Sequence, residues 1–117
     1  MFDEAFFRVA LPDLVTAECR RQPSRTPVVE LRLGDGGVLD VCHVGRLDEK
    51  WLALAFYRDP RTCEDMDYAF LPYELVTRVT VSLRSPEQRK LGFQVLPGQA
   101  RAEFEVIPAA ANQRQGA

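Results

Sequence analysis

The feature that most constrains this chain is the run Gly34-Asp35-Gly36-Gly37, set between two stretches rich in alternating apolar residues. Before it, Val29, Leu31 and Leu33 alternate with Val28, Glu30 and Arg32; after it, a second apolar stretch covers residues 38–47. A period of two places alternate side chains on one face of a strand. Glycines at the junction accept the positive φ that a tight turn demands. The segment therefore predicts a β-hairpin, and with it an antiparallel sheet.

Within the second strand, Leu39 and Val41 share one parity and Val44 has the other. Keeping all three on the buried face requires one extra residue near Cys42, His43 or Gly45, so a bulge or sharp bend is expected there. Asp48-Glu49-Lys50 makes the next turn. Residues 51–57 form a third strand with Leu52, Leu54 and Phe56 on one face, and residues 58–65 a polar loop containing Pro60. Residues 66–71 form a fourth strand. Leu71-Pro72-Tyr73-Glu74 then interrupts the ladder, because proline has no N–H to donate. Val79, Val81 and Leu83 alternate with Arg78, Thr80 and Ser82 as the fifth strand.

Ahead of the sheet, Asp3 or Asp13 is placed to cap a helix. Phe2, Phe6, Val9 and Ala10, and around Pro12 Leu11, Leu14 and Val15, recur at helical spacing. One or two short helices covering the sheet are expected over residues 2–22, with a strand through Leu14, Val15 and Ala17 as the alternative. Pro23 to Pro27 reads as a turn-rich linker. After the fifth strand, Ser85-Pro86-Glu87-Gln88 reads as a cap, a proline at the first helical position and an acidic first turn, predicting a short helix to about Leu91. Phe93 and Val95, then Ala102, Phe104 and Val106, alternate on either side of Pro97-Gly98 as two further strands. Residues 108–117 offer no large apolar group and are expected to be disordered.

The order of these parts, namely a Gly-rich first hairpin, a bent second strand and a one-turn break before the fifth, resembles the Sm-like family, including its bacterial Hfq branch, over about residues 27–83. Val29-x-Leu31-x-Leu33, Gly36 or Gly37, Val44, Leu47-Asp48 and Leu52-x-Leu54 carry its first motif in outline, and Leu75-Val76 with Val79-x-Val81 its second. Asp40 and Cys42 stand near where that family has an apolar residue and glycine, the uridine-supporting Asn is absent after Asp48, and Phe70-Leu71-Pro72-Tyr73 replaces the Tyr-Lys-His signature of Hfq. An SH3-like barrel of other ancestry would produce nearly the same periodicities. The expected fold is mainly β: a strongly bent, five-stranded antiparallel SH3-like or Sm-like barrel. The expected division is a helical lead-in at 1–26, the barrel at 27–84, an extension at 85–107 and the tail.

At 117 residues with 46% hydrophobic content, one core and one domain are the default. A formal charge of -2 supplies no general field for phosphate backbones. The acidic start lacks the basic and apolar regions of an export signal, and three widely spaced cysteines fit neither a disulfide framework nor a metal clamp, so a cytoplasmic protein with reduced thiols is expected. The single histidine, His43, adjoins Cys42, but neighbours in a regular strand face opposite ways, so a metal or thiol–imidazole role is set below a structural one. Glu64-Asp65-x-Asp67 with Asp59 offers oxygens for a divalent cation but lacks the ordered spacing of a calcium loop, and reads as a solvated loop. No nucleophile elbow or phosphate loop is present.

A non-enzymatic assembly or protein-interaction module without cofactor or metal, self-associating as a homo-oligomer, is therefore the expected function, with no membrane role. Candidate interface residues are Trp51, Tyr68, Phe70, Val79 and Val81, since small barrels leave edge strands that a second subunit can cover. Trp51 falls on the outer face with Ala53 and Ala55, where the N-terminal helix is the nearest expected cover and a partly exposed strand-end aromatic the alternative. The alternative function is an RNA-binding Sm-like ring. It draws on Tyr57, Arg58 and Arg61, with Tyr68 as a further stacking group and Arg20, Arg21 and Arg25 as a second basic cluster.

Overall fold

The computed structural model describes residues 1–96. The strand expected beyond Pro97-Gly98 and the tail at 108–117 lie outside the described residues.

Asp3 opens the helix by accepting the Phe6 N–H on its side chain at 3.0 Å. A π-type turn at Phe6–Ala10 leads directly into α1, Leu11–Arg21. Pro12 explains the wide turn: it has no N–H for the preceding turn and its ring crowds the carbonyl four residues back, so a local change to a five-residue bond, Leu11 N–H to Phe6 O, relieves the clash. The result is one continuous helix, with no strand at Leu14 to Ala17. Its buried stripe is Phe7, Leu11 and Val15, while Val9 and Leu14 are exposed. Of the residues read at helical spacing, Leu11 and Val15 are buried and Phe2 and Phe6 pack on the core, while Val9, Ala10 and Leu14 are exposed, because the wide turn shifts the residues around it relative to a uniform helix.

The sheet comprises β1 (Thr26–Leu33), β2 (Val38–Leu47), β3 (Trp51–Tyr57), β4 (Met66–Pro72) and β5 (Val76–Arg84). All pairs are antiparallel, in the order β4-β3-β2-β1-β5. The expected hairpin joins β1 and β2: Gly36 has φ 94°, and Asp35 fixes the turn by accepting the Gly37 N–H at 2.9 Å. Two register shifts interrupt the β2–β3 ladder, between Val41 and His43 and between Val44 and Arg46. They leave Cys42 and Gly45 without cross-strand partners and bring Val41, Val44 and Leu47 to one face. A short 3₁₀ turn, Tyr73–Leu75, separates β4 from β5.

The helix lies on what is here the inner face. Phe7, Leu11 and Val15 pack there with Val29, Leu31, Val41, Val44, Leu52, Leu54 and Tyr73 in the main core. The closed barrel expected from the strand pattern does not form: β4 and β5 are the two ends of an open sheet and do not pair with each other. The helix substitutes for closure by covering the concavity. No helix among the described residues is long and apolar enough to cross a membrane.

The helix expected from Ser85 to about Leu91 is a single turn, in which Gln88 and Arg89 N–H groups donate to the Ser85 carbonyl at 3.0 and 3.1 Å. Residues 89–96 then run as an irregular strap that covers the outer face at Arg89 and turns Phe93 into the main core beside the helix. The Phe93 N–H donates to Pro27 O at 2.8 Å and the Gln94 N–H to Cys42 O at 2.7 Å. Thr26 Oγ1 donates to Arg89 O at 3.0 Å and the Tyr57 hydroxyl to Gly92 O at 2.7 Å. The bulge that aligns the inner face thus leaves the Cys42 carbonyl to be taken by the strap.

Candidate interaction surface

Beyond the strap the outward residues of β4 face solvent, while those of β3, apart from half-buried Trp51, are buried. The register sets Phe70 beside Ala53 and Tyr68 beside Ala55, so large aromatic groups on the edge strand adjoin small buried residues on its neighbour. Phe70 is 66% and Tyr68 61% exposed, and Met66 continues the exposed apolar row. Trp51 closes one end, its ring 5.9 Å from that of Phe70, with the Arg46 guanidinium 5.7 Å from the indole centroid. Aromatic area of this kind stays partly wet only at a free-energy cost that a covering surface would remove.

Trp51 occupies the outer face, as its parity predicts, but the helix does not cover it. The helix is committed to the opposite face, where Phe7 stacks on Tyr73 at 5.9 Å, and Trp51 is left half-buried against Phe70 and Arg46. Val79 and Val81 are half-buried inner-face residues of β5, packed against the main core. Trp51, Tyr68 and Phe70 therefore belong to one edge, Val79 and Val81 to the other, with three strands between the two edges.

The residues considered for nucleic-acid contact are placed differently. Tyr57 is buried beneath the strap and its phenol is pushed well above its ordinary range, chiefly by burial and then by Cys42. It offers no face on which a base could stack. Arg58 remains at the surface, donating to both Asp67 oxygens at 3.2 and 2.8 Å, and its hydrogen bond holds that carboxyl below the usual range. Arg61 reaches Asp59 in the same manner at 3.3 and 3.2 Å. Exposed pairs like these contribute little to stability.

The least legible part of the outer face is an ion pair. Arg89 donates to both Asp40 oxygens at 2.8 and 3.0 Å, and the two residues are only 5% and 6% exposed. The Arg89 guanidinium also lies 5.6 Å from the Tyr57 ring centroid. One signal was available: Asp40 on a strand next to buried positions calls for a cation. The partner, 49 residues away, carries no periodic pattern that would nominate it.

The edge strands also differ in charge. β5 carries Arg78 and Arg84 and no acid, and its Arg78 stands directly opposite Arg32 of β1. β4 contains Asp67 and is bounded by Glu64 and Asp65 on one side and Glu74 on the other. No family model, curated protein or solved structure matches this chain.

Proposed function

We propose that this protein is a non-enzymatic assembly module that self-associates by pairing β4 of one copy with β5 of the next, on an Sm-like or SH3-like bent sheet. The observation that carries this reading is the pair of edges at opposite ends of an open sheet, unpaired among the described residues, one of them lined by exposed Tyr68 and Phe70. The charge difference favours unlike edges meeting, since β5 is basic and the margins of β4 are acidic. Such a contact is heterologous, so copies close into a ring or continue as a filament according to the rotation at each step.

Several features support the Sm-like reading: the leading helix, the glycine hairpin, the bulged β2 and the 3₁₀ turn ahead of β5. Two of the departures from that pattern, at Asp40 and Cys42, have a local cause. Asp40 binds Arg89, and the Cys42 carbonyl receives the Gln94 N–H, so both positions serve the strap. RNA binding is the lesser reading, since Tyr57 is enclosed and its neighbouring arginines are held by carboxylates.

Light scattering coupled to size-exclusion chromatography tests the assembly. The expected mass is a multiple of the single chain, reduced to one chain by Phe70→Lys or Tyr68→Lys. Both sites are exposed, so circular dichroism of the variants should match the parent. A parent that stays monomeric at high micromolar concentration overturns the proposal.

A further inference from the structure

We infer that Cys63 and Cys42 form an oxidisable dithiol, a modification site at which hydrogen peroxide closes a disulfide between β2 and the loop that joins β3 to β4. Cys42 is buried on the outer face in a small cluster with Ala55 and Tyr57, and Cys63 packs against that cluster from the loop. The loop backbone is shaped to hold it there. Cys63 is the one described non-glycine residue at positive φ, 57°, and its N–H donates to Asp59 O at 2.9 Å. Its Sγ lies 3.2 Å from Pro60 O and 3.7 Å from Leu91 O, so the thiol touches the strap as well.

Exposure gives the two sulfurs different roles. Arg89 spends its terminal nitrogens on Asp40, and its Nε is buried without a hydrogen-bond acceptor among the described residues. Cys63 lies within reach of that guanidinium. It is also the more accessible sulfur, being half-buried where Cys42 is buried. Cys42 is the enclosed partner, and burial pushes its thiol up.

Oxidation then proceeds in two steps. The Cys63 sulfur, giving up its proton, attacks one peroxide oxygen: an S–O bond forms, the O–O bond breaks, and the departing hydroxide takes up that proton to become water. The Cys42 sulfur, losing its proton, next attacks the Cys63 sulfenic sulfur; the S–S bond forms and the S–O bond breaks, releasing a second water. Two thiols and one peroxide thus become one disulfide and two waters. Cys19, on α1, lies outside this cluster.

Full-length reduced protein treated with hydrogen peroxide, then denatured, alkylated with a maleimide and weighed, tests the pair. The expected result is a loss of two hydrogens per chain, about 2 Da, with alkylation falling from three thiols to one. Peptide mapping should place the link at Cys42–Cys63, and dithiothreitol should reverse it. Cys19→Ser should leave the link intact and Cys63→Ser should abolish it. Should Cys63→Ser not fold, Cys42→Ala supplies the second reading, because it strands Cys63 as a sulfenic acid that dimedone captures. Three alkylatable thiols after treatment, a link that includes Cys19, or Cys42→Ala protein without a dimedone adduct overturns the inference.

Discussion

The two faces of the sheet are buried by different means. On the inner face a regular helix lays a stripe of Phe7, Leu11 and Val15 onto Val29, Leu31, Leu52 and Leu54, and burial of apolar area does nearly all of the holding. On the outer face an irregular strap is held by polar groups paired one by one: Arg89 with Asp40, the Arg89 carbonyl with Thr26, the Gly92 carbonyl with Tyr57, and two N–H groups with Pro27 and Cys42. A face covered by a periodic element tolerates local change, because contacts are many and non-directional. A face covered by a strap depends on a few directional contacts, each with a larger consequence when lost.

The largest expected effect breaks the strap at its anchor. Removing either charge, by Asp40→Ala or Arg89→Ala, strands the other in a buried site and should lower unfolding free energy by about 3–5 kcal/mol in urea titration. The double replacement Asp40→Leu with Arg89→Met leaves no orphaned charge and should recover most of that loss. If a single replacement costs less than about 1 kcal/mol, the charges are reaching water and the contrast between the faces fails.

A smaller effect comes from Gly92, where an added Cβ would stand 1.9 Å from Pro27 O. Gly92→Ala must lift the strap or bend it, at a cost of about 1–3 kcal/mol in thermal unfolding. Amide exchange should localise the damage. The Phe93 and Gln94 N–H groups, which bond β1 and β2 carbonyls, should exchange faster, while the amides of α1 keep their protection.

The smallest effect compares the faces through alkali. Tyr73, which stacks on Phe7 and donates to Asp48 O at 2.7 Å, is pushed up to about 12, first by burial and then by Glu4. Its unfolded counterpart releases a proton near 10.0, so the folded chain binds more protons in between; the stabilisation is complete below that pH and is lost as pH rises toward about 12. Tyr57, beneath the strap, shifts in the same direction. Tyr73→Phe should cost about 1 kcal/mol at neutral pH and flatten only the helix-side share of the alkaline decline, leaving that of Tyr57. An unchanged pH–stability profile would mean that Tyr73 ionises alike in both states.

What could be read from the residues was whatever has a period or a special backbone requirement. Alternation at Val29, Leu31 and Leu33 located the inner face, the parity change between Val41 and Val44 located the bulging of β2, Gly36 located the hairpin, and the parity of Trp51 placed it outward. These are local properties, decided by side-chain periodicity and by steric limits on φ, and they hold whatever the rest of the chain does. Tertiary structure alone decided the remainder. A wide turn ahead of Pro12 reset the helix phase, an open edge replaced the expected closure, and Arg89 found Asp40 across 49 residues. The same long-range fold enclosed Tyr57, brought Cys63 against the cluster that holds Cys42 and left Tyr68 and Phe70 bare. Each outcome depends on which groups distant parts of the chain bring within reach, and a linear pattern carries no term for a single contact made once.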